Sequence, residues 1–239
     1  MGLLEIAAVL SLRGSDSRYA WILHFSHVLD NFEPLYRKPL QIGRMFSMST
    51  RILYVTAWHL RATWSRLRWL GVRSMLRVFG ADLGKGALLA SPVYVTWPHR
   101  LRIGEAVYAE PGCWFKHDGP YAPGKSILIG PRCFLGYGVE FNIKHGVTIG
   151  DDSLIASGVR FIDHNHSVAS GRLTRTLPCT GSPIKVGRNV WIGANALILA
   201  GVSVGDHAVI GAGSLVNRDI PDGEIWAGIP ARKIGQVTS

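Results

Sequence analysis

The feature that most constrains the fold is a six-residue period that begins at Leu83 and continues toward the C-terminus. At most steps an aliphatic or aromatic residue is followed by a small one, as in the run VGRNVWIGANALILAGVSVGDHAVIGAG over residues 186–213. A period of six is neither the 3.6 of an α-helix nor the simple alternation of a strand. It predicts short strands joined by tight corners, each with one inward-facing aliphatic residue.

Three such sides make one coil, and coils that stack about 4.8 Å apart can pair their backbone groups with one another. Counted from Leu83, the sequence accommodates about six coils, which predicts a mainly β fold, a parallel β-helix. Every departure from the regular step follows a third side, since the next aliphatic comes eight, fourteen, eight and twenty-five residues after Val95, Phe115, Phe141 and Phe161. The extra loops are therefore predicted to share one edge, where repeat scaffolds build sites.

Histidines concentrate in those predicted loops, which carry His99, His117, His145, His164 and His166. Histidine is the side chain that can both accept and return a proton near neutral pH. A single loop histidine is most often a polar surface residue. The clustering favours proton-transfer chemistry on this edge without choosing among the five.

Residues 1–80 have a different composition and are predicted to form a separate helical region ahead of a β-helix domain over 81–239 with a C-terminal tail. Between Pro34 and Ala81 there is no acidic residue, but nine basic ones occur from Arg37 to Arg77. Leucines at seven-residue spacing from 53 to 67 predict a basic amphipathic helix. It either caps the β-domain, which we favour, or docks through residues 44–77 on an anionic inner membrane surface.

The net charge of +10 indicates an anionic partner, either a membrane surface or a phosphorylated ligand, and no nucleic-acid motif accompanies it. Three cysteines without CxxC spacing are interpreted as reduced thiols, hence a cytoplasmic protein without structural zinc, peripheral to the membrane if the basic helix docks. No stretch approaches the roughly 20 apolar residues that span a bilayer.

Residues 83–235 resemble bacterial hexapeptide-repeat O-acetyltransferases, which include galactoside, maltose, polysaccharide and lipopolysaccharide O-acetyltransferases. The resemblance is carried by IKVGRNVWIGANALILAGVSVGDHAVIGAGSLVNRDIPDGEIWAGIPARKI over 184–234. The segment FIDHNHS is most similar to the polysaccharide-modifying branch. The resemblance implies a left-handed coil, a homotrimer, acetyl-CoA as acyl donor, and a hydroxyl of a sugar or surface-polysaccharide precursor as acceptor.

The same resemblance implies site residues. A gap-free count from Ile149 assigns the catalytic histidine to His166, with His164 as the alternative and Asp163 as a residue that orients the ring or forms a turn. The implied cofactor contacts are Ala194, Ala212, Asn217, Arg218 and Arg232. A second basic contact of the family falls on Gly235, which leaves Lys233 to take its place, and the nearest amide for the acceptor is Asn142.

The implied reaction is direct acyl transfer, in which a neutral imidazole removes the proton of the acceptor hydroxyl. No metal is expected. Three alternatives stay open: a zinc-dependent, carbonic-anhydrase-like β-helix enzyme that uses the edge histidines as ligands, an N-acetyltransferase acting on an amino sugar, and a non-enzymatic structural β-helix. The sequence does not identify the acceptor or the hydroxyl that is modified.

Overall fold

The computed structural model describes residues 69–238. Helix α1 covers residues 69–78 of this part, and strands β1 to β22 follow, numbered in chain order. No helix within 69–238 is long and apolar enough to cross a bilayer. Most of the predicted basic helix and of the region 1–80 lies outside the described residues, so that domain assignment stays a prediction.

The strands form three sheets that the chain visits in turn. The first sheet contains β1 (Asp82–Leu83), β4 (Leu101–Ile103), β7 (Ile127–Ile129), β10 (Val147–Ile149), β15 (Ile184–Val186) and β18 (Ser203–Val204). The second contains β2 (Leu88–Leu89), β5 (Tyr108–Ala109), β8 (Phe134–Leu135), β11 (Leu154–Ile155), β16 (Trp191–Ile192), β19 (Val209–Ile210), β21 (Glu224–Gly228) and β22 (Ala231–Gln236). The third contains β3 (Tyr94–Val95), β6 (Trp114–His117), β9 (Glu140–Ile143), β12 (Arg160–Ile162), β17 (Leu197–Leu199) and β20 (Leu215–Val216).

Neighbouring strands in these sheets are parallel and belong to successive coils, apart from the antiparallel hairpin of β21 and β22. Each complete coil contributes one strand to the third sheet, so its six strands correspond to six complete coils, as the sequence predicts. An additional partial turn, begun by a parallel bridge between Val204 and Ile220, leads into the hairpin that closes the C-terminal end.

Stacking of the coils explains why a small residue follows each inward aliphatic. A Cβ added to Gly150 would lie 2.5 Å from the carbonyl carbon of Gly187 on the next coil, and one added to Gly193 would lie 2.5 Å from the amide nitrogen of Ala212. Real Cβ atoms do not approach backbone this closely. The six-residue motif therefore records two needs, an apolar core column and a corner where two backbones touch.

The core is a set of stacked columns inside the triangle, one inward residue per side and coil. On the third side three consecutive members of the column are aromatic. The rings of Phe115 and Phe141 lie 5.2 Å apart and those of Phe141 and Phe161 lie 5.0 Å apart, both nearly parallel. Offset stacking of this kind adds to the burial of the rings and holds the ends of β6, β9 and β12 in register.

Helix α1 packs against the first coil. Trp69 and Leu76 are buried in the core, and the indole Nε1 of Trp69 donates to a carbonyl oxygen of the first coil at 2.9 Å. The guanidinium groups of Arg73 and Arg77 donate to two further carbonyl oxygens there at 2.9 and 2.7 Å. These bonds satisfy backbone groups that the end of a β-helix leaves without a partner.

The triangle has one irregular corner. Between the third and first sheets the chain inserts residues 96–100, 118–126, 144–146 and 163–183, and we call this edge the loop corner. We call the edge between the second and third sheets the alanine corner, since Ala194 and Ala212 lie there. The prediction that all extra loops share one edge is confirmed. The longest insertion also contains a hairpin that the sequence did not predict, formed by β13 (His164–His166) and β14 (Cys179–Gly181).

Candidate active site

The loop corner is organised around the carboxylate of Asp163, which is fully buried. One oxygen accepts from the backbone N–H of Lys144 at 2.8 Å, and the other accepts from those of His145 at 2.7 Å and Gly146 at 2.6 Å. A buried charge is tolerated only when it is hydrogen-bonded in this way. Asp163 thereby fixes the short insertion of the third coil against the start of the hairpin.

His164 completes the shell of that carboxylate. Its Nδ1 lies 3.0 Å from Asp163 Oδ1 and its side chain is 7% exposed. Because a carboxylate only accepts, Nδ1 is the donor of this bond. The other ring nitrogen, Nε2, lies 3.7 Å from Asp118 Oδ2 on the second inserted loop. His164 is thus enclosed between two acidic side chains. Asp163, which the family resemblance implies as the residue that orients the catalytic ring, contacts His164.

His166 lies two residues further along β13 and is exposed. Its Nδ1 is 3.5 Å from the thiol sulfur of Cys179, which stands opposite it in the β13–β14 pairing. The two histidines therefore differ in access: one imidazole is fixed by acidic groups inside the corner, and the other is presented to whatever approaches from outside.

A third histidine, His117, lies deeper on the same edge. It is 6% exposed, and its Nδ1 is 3.1 Å from the hydroxyl of Ser126, which Arg100 also contacts. Burial, with a further contribution from Arg100, lowers the pKa of His117 below its ordinary value, although Asp163 and Asp118 act in the opposite direction. Its surroundings therefore favour the neutral imidazole, and its ring contacts the second inserted loop through Ser126.

The predicted acceptor residue Asn142 is on β9, one coil before His164. Its neighbours across the third sheet are Lys116 and Ile162. The side-chain oxygen Oδ1 is buried without a hydrogen-bond partner among the described residues. Buried acceptors are nearly always satisfied in folded proteins, so this one calls for a donor from a ligand or water.

Small residues stack one above another at the alanine corner. The backbone N–H of Gly213 donates to the carbonyl of Ala194 at 2.8 Å, which places Ala194 directly below Ala212. The corresponding bonds one and two coils earlier put Ser157 and Tyr137 in the same column. Side-chain size along this edge falls from Tyr137, which is 64% exposed, to the two alanines toward the C-terminal end.

The C-terminal hairpin continues the second sheet beside these residues. Arg232 is exposed and its Cα is paired with that of Ala227, the residue that a Cβ on Gly211 would contact. Lys233 makes a 2.6 Å ion pair with Glu224 within the hairpin. Arg232 thus joins the two alanines at one corner, whereas the ammonium group of Lys233 is already engaged by a carboxylate.

Asn217 and Arg218 lie elsewhere. They are exposed and follow β20, on the same edge as the loop corner and two coils beyond the histidines. One side of the triangle separates the loop corner from the alanine corner, roughly 15–20 Å of extended chain. Within one chain the structure does not bring the predicted catalytic residues together with Ala194, Ala212 and Arg232.

Two residues at the loop corner were missed in the sequence, Asp118 and Cys179. The sequence did contain a signal for which loop-corner side chains are buried, because side chains two residues apart along a strand share a face. From the inward rings of Phe115 and Phe161, this alternation puts His117 and Asp163 inside. Among residues 69–238 no group of three or more His, Cys, Asp or Glu side chains is arranged to hold a metal ion.

Comparison of the sequence with known proteins shows which protein family it matches. The models for the bacterial transferase hexapeptide (six repeats) and for the hexapeptide repeat of succinyl-transferase match residues 183–218 and 126–160. Over 135 residues the chain is 36% identical to galactoside O-acetyltransferase of Escherichia coli K12, covering 56% of this chain and 63% of that protein. Over 148 residues it is 34% identical to the putative lipopolysaccharide biosynthesis O-acetyl transferase WbbJ of the same strain, covering 51% and 74%.

Solved structures agree. Galactoside acetyltransferase in complex with coenzyme A has a TM-score of 0.51 at 31% identity and is covered over 70% of each chain. A mutant of the N-acyltransferase AntD from Bacillus cereus, in complex with dTDP and coenzyme A, has a TM-score of 0.60 at 20% identity. The match covers 69% of this chain and 89% of that one and shows the shared fold. The chain therefore belongs to the hexapeptide-repeat acetyltransferase family and folds as a left-handed parallel β-helix.

Proposed function

We propose that this protein transfers an acetyl group from acetyl-CoA to a hydroxyl of a sugar or a surface-polysaccharide precursor. The observation that carries the proposal is the histidine pair of β13, with one ring fixed by the buried carboxylate of Asp163 and the other exposed at the loop corner. The names of the relatives, a galactoside O-acetyltransferase and a lipopolysaccharide O-acetyl transferase, support the choice of donor and acceptor.

His166 is the proposed general base. As neutral imidazole it takes the proton of the acceptor hydroxyl while that oxygen attacks the thioester carbonyl. Collapse of the tetrahedral intermediate breaks the carbon–sulfur bond, and the same imidazolium returns the proton to the leaving thiolate. Its exposure supports this role, because the Nε2 of His164 is directed at Asp118 inside the corner. His164 and Asp163 then act by positioning the start of the hairpin.

Asn142 is proposed to contact the acceptor. A rotation of its side chain would bring the buried Oδ1, which has no partner among the described residues, within reach of a sugar hydroxyl. Such a bond both orients the sugar and relieves the cost of an unsatisfied buried acceptor.

Acetyl-CoA is proposed to lie along the alanine corner. Ala194 and Ala212 leave room for the pantetheine arm, and Arg232 supplies positive charge for the phosphates beside them. Asn217, Arg218 and Lys233 remain in the proposal with lesser roles: the first two project from the loop corner, and the third must leave Glu224 to reach a phosphate.

Because the two corners are far apart in one chain, the proposed site requires two copies, and we propose a homotrimer. The outer face of the second sheet supports this, since its directly stacked residues are all apolar apart from the hydroxyl of one tyrosine: Leu88, Tyr108, Phe134, Leu154, Trp191, Val209 and Ile225. The outer row of the first sheet is mostly polar by contrast. In a cyclic trimer a face meets a different surface of its neighbour, which can carry one copy's alanine corner to another's loop corner.

The decisive experiment incubates purified protein and acetyl-CoA with a panel of galactosides, amino sugars and polysaccharide fragments, and measures coenzyme A release and product mass. We expect transfer to a hydroxyl, giving an ester that mild base hydrolyses. A base-stable product would indicate N-acetylation of an amino sugar, and no transfer to any sugar would reject the proposal. Light scattering on the same sample tests the trimer, and Trp191→Glu is expected to reduce its mass.

The proposed location is the cytoplasm, where acetyl-CoA is available. Membrane contact through residues 44–77 stays a prediction, but the guanidinium groups of Arg73 and Arg77 are hydrogen-bonded to the first coil. If the remaining arginines dock, binding to anionic vesicles must weaken steeply with added salt. Absence of vesicle binding at low salt would leave the capping role alone.

A further inference from the structure

Three rings cluster on the first two inserted loops of the loop corner. His99 and Tyr121 are stacked with centroids 4.6 Å apart, and Trp97 meets both edge-on at 5.8 and 6.1 Å. We call these three residues the aromatic shelf. Tyr121 is 68% exposed, so the shelf presents a ring face to solvent.

Two of the three rings in the shelf already use a polar edge in a hydrogen bond to the protein. The indole Nε1 of Trp97 donates to the carbonyl of Gly119 at 3.1 Å, and His99 Nε2 donates to the carbonyl of Ala122 at 2.9 Å. Both bonds run to the loop 118–126, which Arg100 also holds through backbone carbonyls. The rings are therefore fixed in place before any ligand arrives, and what they offer is apolar surface.

A cavity of about 600 Å³ opens on this surface, lined by the shelf together with the end of helix α1. That volume is within the range of small-molecule sites. Its walls are the rings of the shelf, Pro98 and the side chains of Val78 and Phe79. A wall of this kind suits a ligand that has an apolar face.

The shelf is continuous with the candidate active site. Loop 118–126 carries Tyr121, and at its start Asp118 Oδ2 lies 3.7 Å from His164 Nε2. The first two inserted loops precede the histidine-bearing loop by three and two coils, a rise of about 10 to 15 Å at 4.8 Å per coil. Lys144 and His145 lie on the intervening coil. The edge thus offers aromatic, acidic and basic groups in a row.

We propose that the aromatic shelf is a second acceptor subsite, which stacks on a sugar ring of an oligosaccharide whose reacting hydroxyl lies at His166. The inference rests on the proposed function and narrows its acceptor to a glycan of several sugars. The C–H face of a pyranose is apolar and packs on an aromatic ring, while its hydroxyls point sideways, where Asp118 can accept and Lys144 can donate hydrogen bonds. The offset of two to three coils matches the length of a di- or trisaccharide.

The test measures binding of maltohexaose, chitohexaose and β-1,4-galactohexaose, each against its monosaccharide, to the full chain without acetyl-CoA. We expect at least one hexasaccharide to bind more tightly than its monosaccharide, and Tyr121→Ala or Trp97→Ala to raise its Kd by about 5- to 10-fold. Tyr121→Phe keeps the ring face and should retain affinity. Tyr137→Ala is the matched control, since it removes an equally exposed tyrosine from the alanine corner.

The proposal is overturned if no hexasaccharide binds more tightly than its monosaccharide, or if Tyr121→Ala changes affinity no more than Tyr137→Ala does. It is also overturned if Tyr121→Ala lowers the mass of the oligomer, because the shelf is then a contact between copies. Failure of the proposed function looks different: no acetyl transfer to any sugar, with hexasaccharide binding and its dependence on the shelf intact.

Discussion

The loop corner and the alanine corner are two edges of one scaffold with opposite contents. At the alanine corner each coil repeats the last, and the variable quantity is side-chain size, which falls from Tyr137 to Ala212. At the loop corner four insertions interrupt the repeat, and the buried carboxylate of Asp163 joins the third insertion to the fourth through hydrogen bonds. One edge differs from coil to coil only in the size of its side chains, and the other carries inserted loops with titratable side chains.

The difference shows how a repeat fold separates stability from function. Coil stacking and the aliphatic columns are satisfied by the regular steps alone. Insertions at one corner leave the parallel pairing on both flanks intact, since β12 still pairs with β17 and β10 with β15 across the longest one. The chain can thus place Asp163, His164 and His166 without weakening the core.

The largest expected effect is the loss of the general base at the loop corner. His166→Ala should lower kcat by about 10² to 10⁴ with little change in the Kd of acetyl-CoA, if proton transfer is its task. His164→Ala should lower kcat less and should also lower the Tm, because its imidazole contacts the buried Asp163 carboxylate. Steady-state kinetics and thermal melts of both variants provide the measurement.

The opposite result would be informative. If His164→Ala loses turnover while His166→Ala retains it, the base is the buried ring and Asp118 must move to admit the acceptor. If both keep near-normal turnover, general-base catalysis at this corner is wrong.

Next in size is the anchoring carboxylate. Asp163→Asn keeps the shape but replaces an acceptor-only group with an amide whose NH₂ faces backbone N–H donors. We expect a loss of about 2–4 kcal/mol in the free energy of unfolding, since hydrogen bonds to a charged, buried group are among the strongest. Chemical denaturation measures it. Asp219→Asn is a comparison at an exposed carboxylate with one backbone partner, and an equal loss there would contradict the anchoring role.

Much of this architecture could be predicted from sequence. The six-residue step identified the coils, the inward columns and the shared edge of the loops. Core packing requires an inward apolar residue at every step, so the period stays recognisable even where one position departs from it. Inside the insertions no period operates. The β13–β14 hairpin that brings Cys179 opposite His166 depends on pairing across twelve intervening residues without an alternating apolar pattern. Nor could spacing show that Asp163 contacts His164, since that contact depends on which way the chain turns after Ile162.

At the alanine corner the expected effect is on donor binding. Ala212→Leu adds bulk where the pantetheine arm is proposed to lie and should raise the KM for acetyl-CoA by roughly 10- to 100-fold with kcat less affected, as expected when binding common to ground and transition states is removed. Thr148→Leu adds the same side chain on the exposed face of the first sheet and serves as control. An unchanged KM in Ala212→Leu would place the donor elsewhere and would remove the argument for a site shared between copies.

The smallest expected effect concerns His117, the deeply buried histidine of the loop corner. Burial and Arg100 lower its pKa below the ordinary 6.5, so the folded protein binds fewer protons than the unfolded chain once the pH falls below that value. Its contribution to stability is therefore complete above pH 6.5 and is lost as the pH falls toward the lowered pKa, with a slope of at most about 1.4 kcal/mol per pH unit. His117→Gln, which can still hydrogen bond to Ser126, should remove this slope.

Unfolding by urea between pH 5 and 8, at one protein concentration, should show wild type and His117→Gln with parallel profiles above pH 6.5 and converging stabilities below it. His145→Gln, at an exposed histidine of the same edge, should follow wild type throughout. Parallel profiles down to pH 5 would mean that His117 titrates as freely as an exposed histidine. The loop corner would then be open to water at its base, and its contrast with the closed columns of the coils would apply only to Asp163.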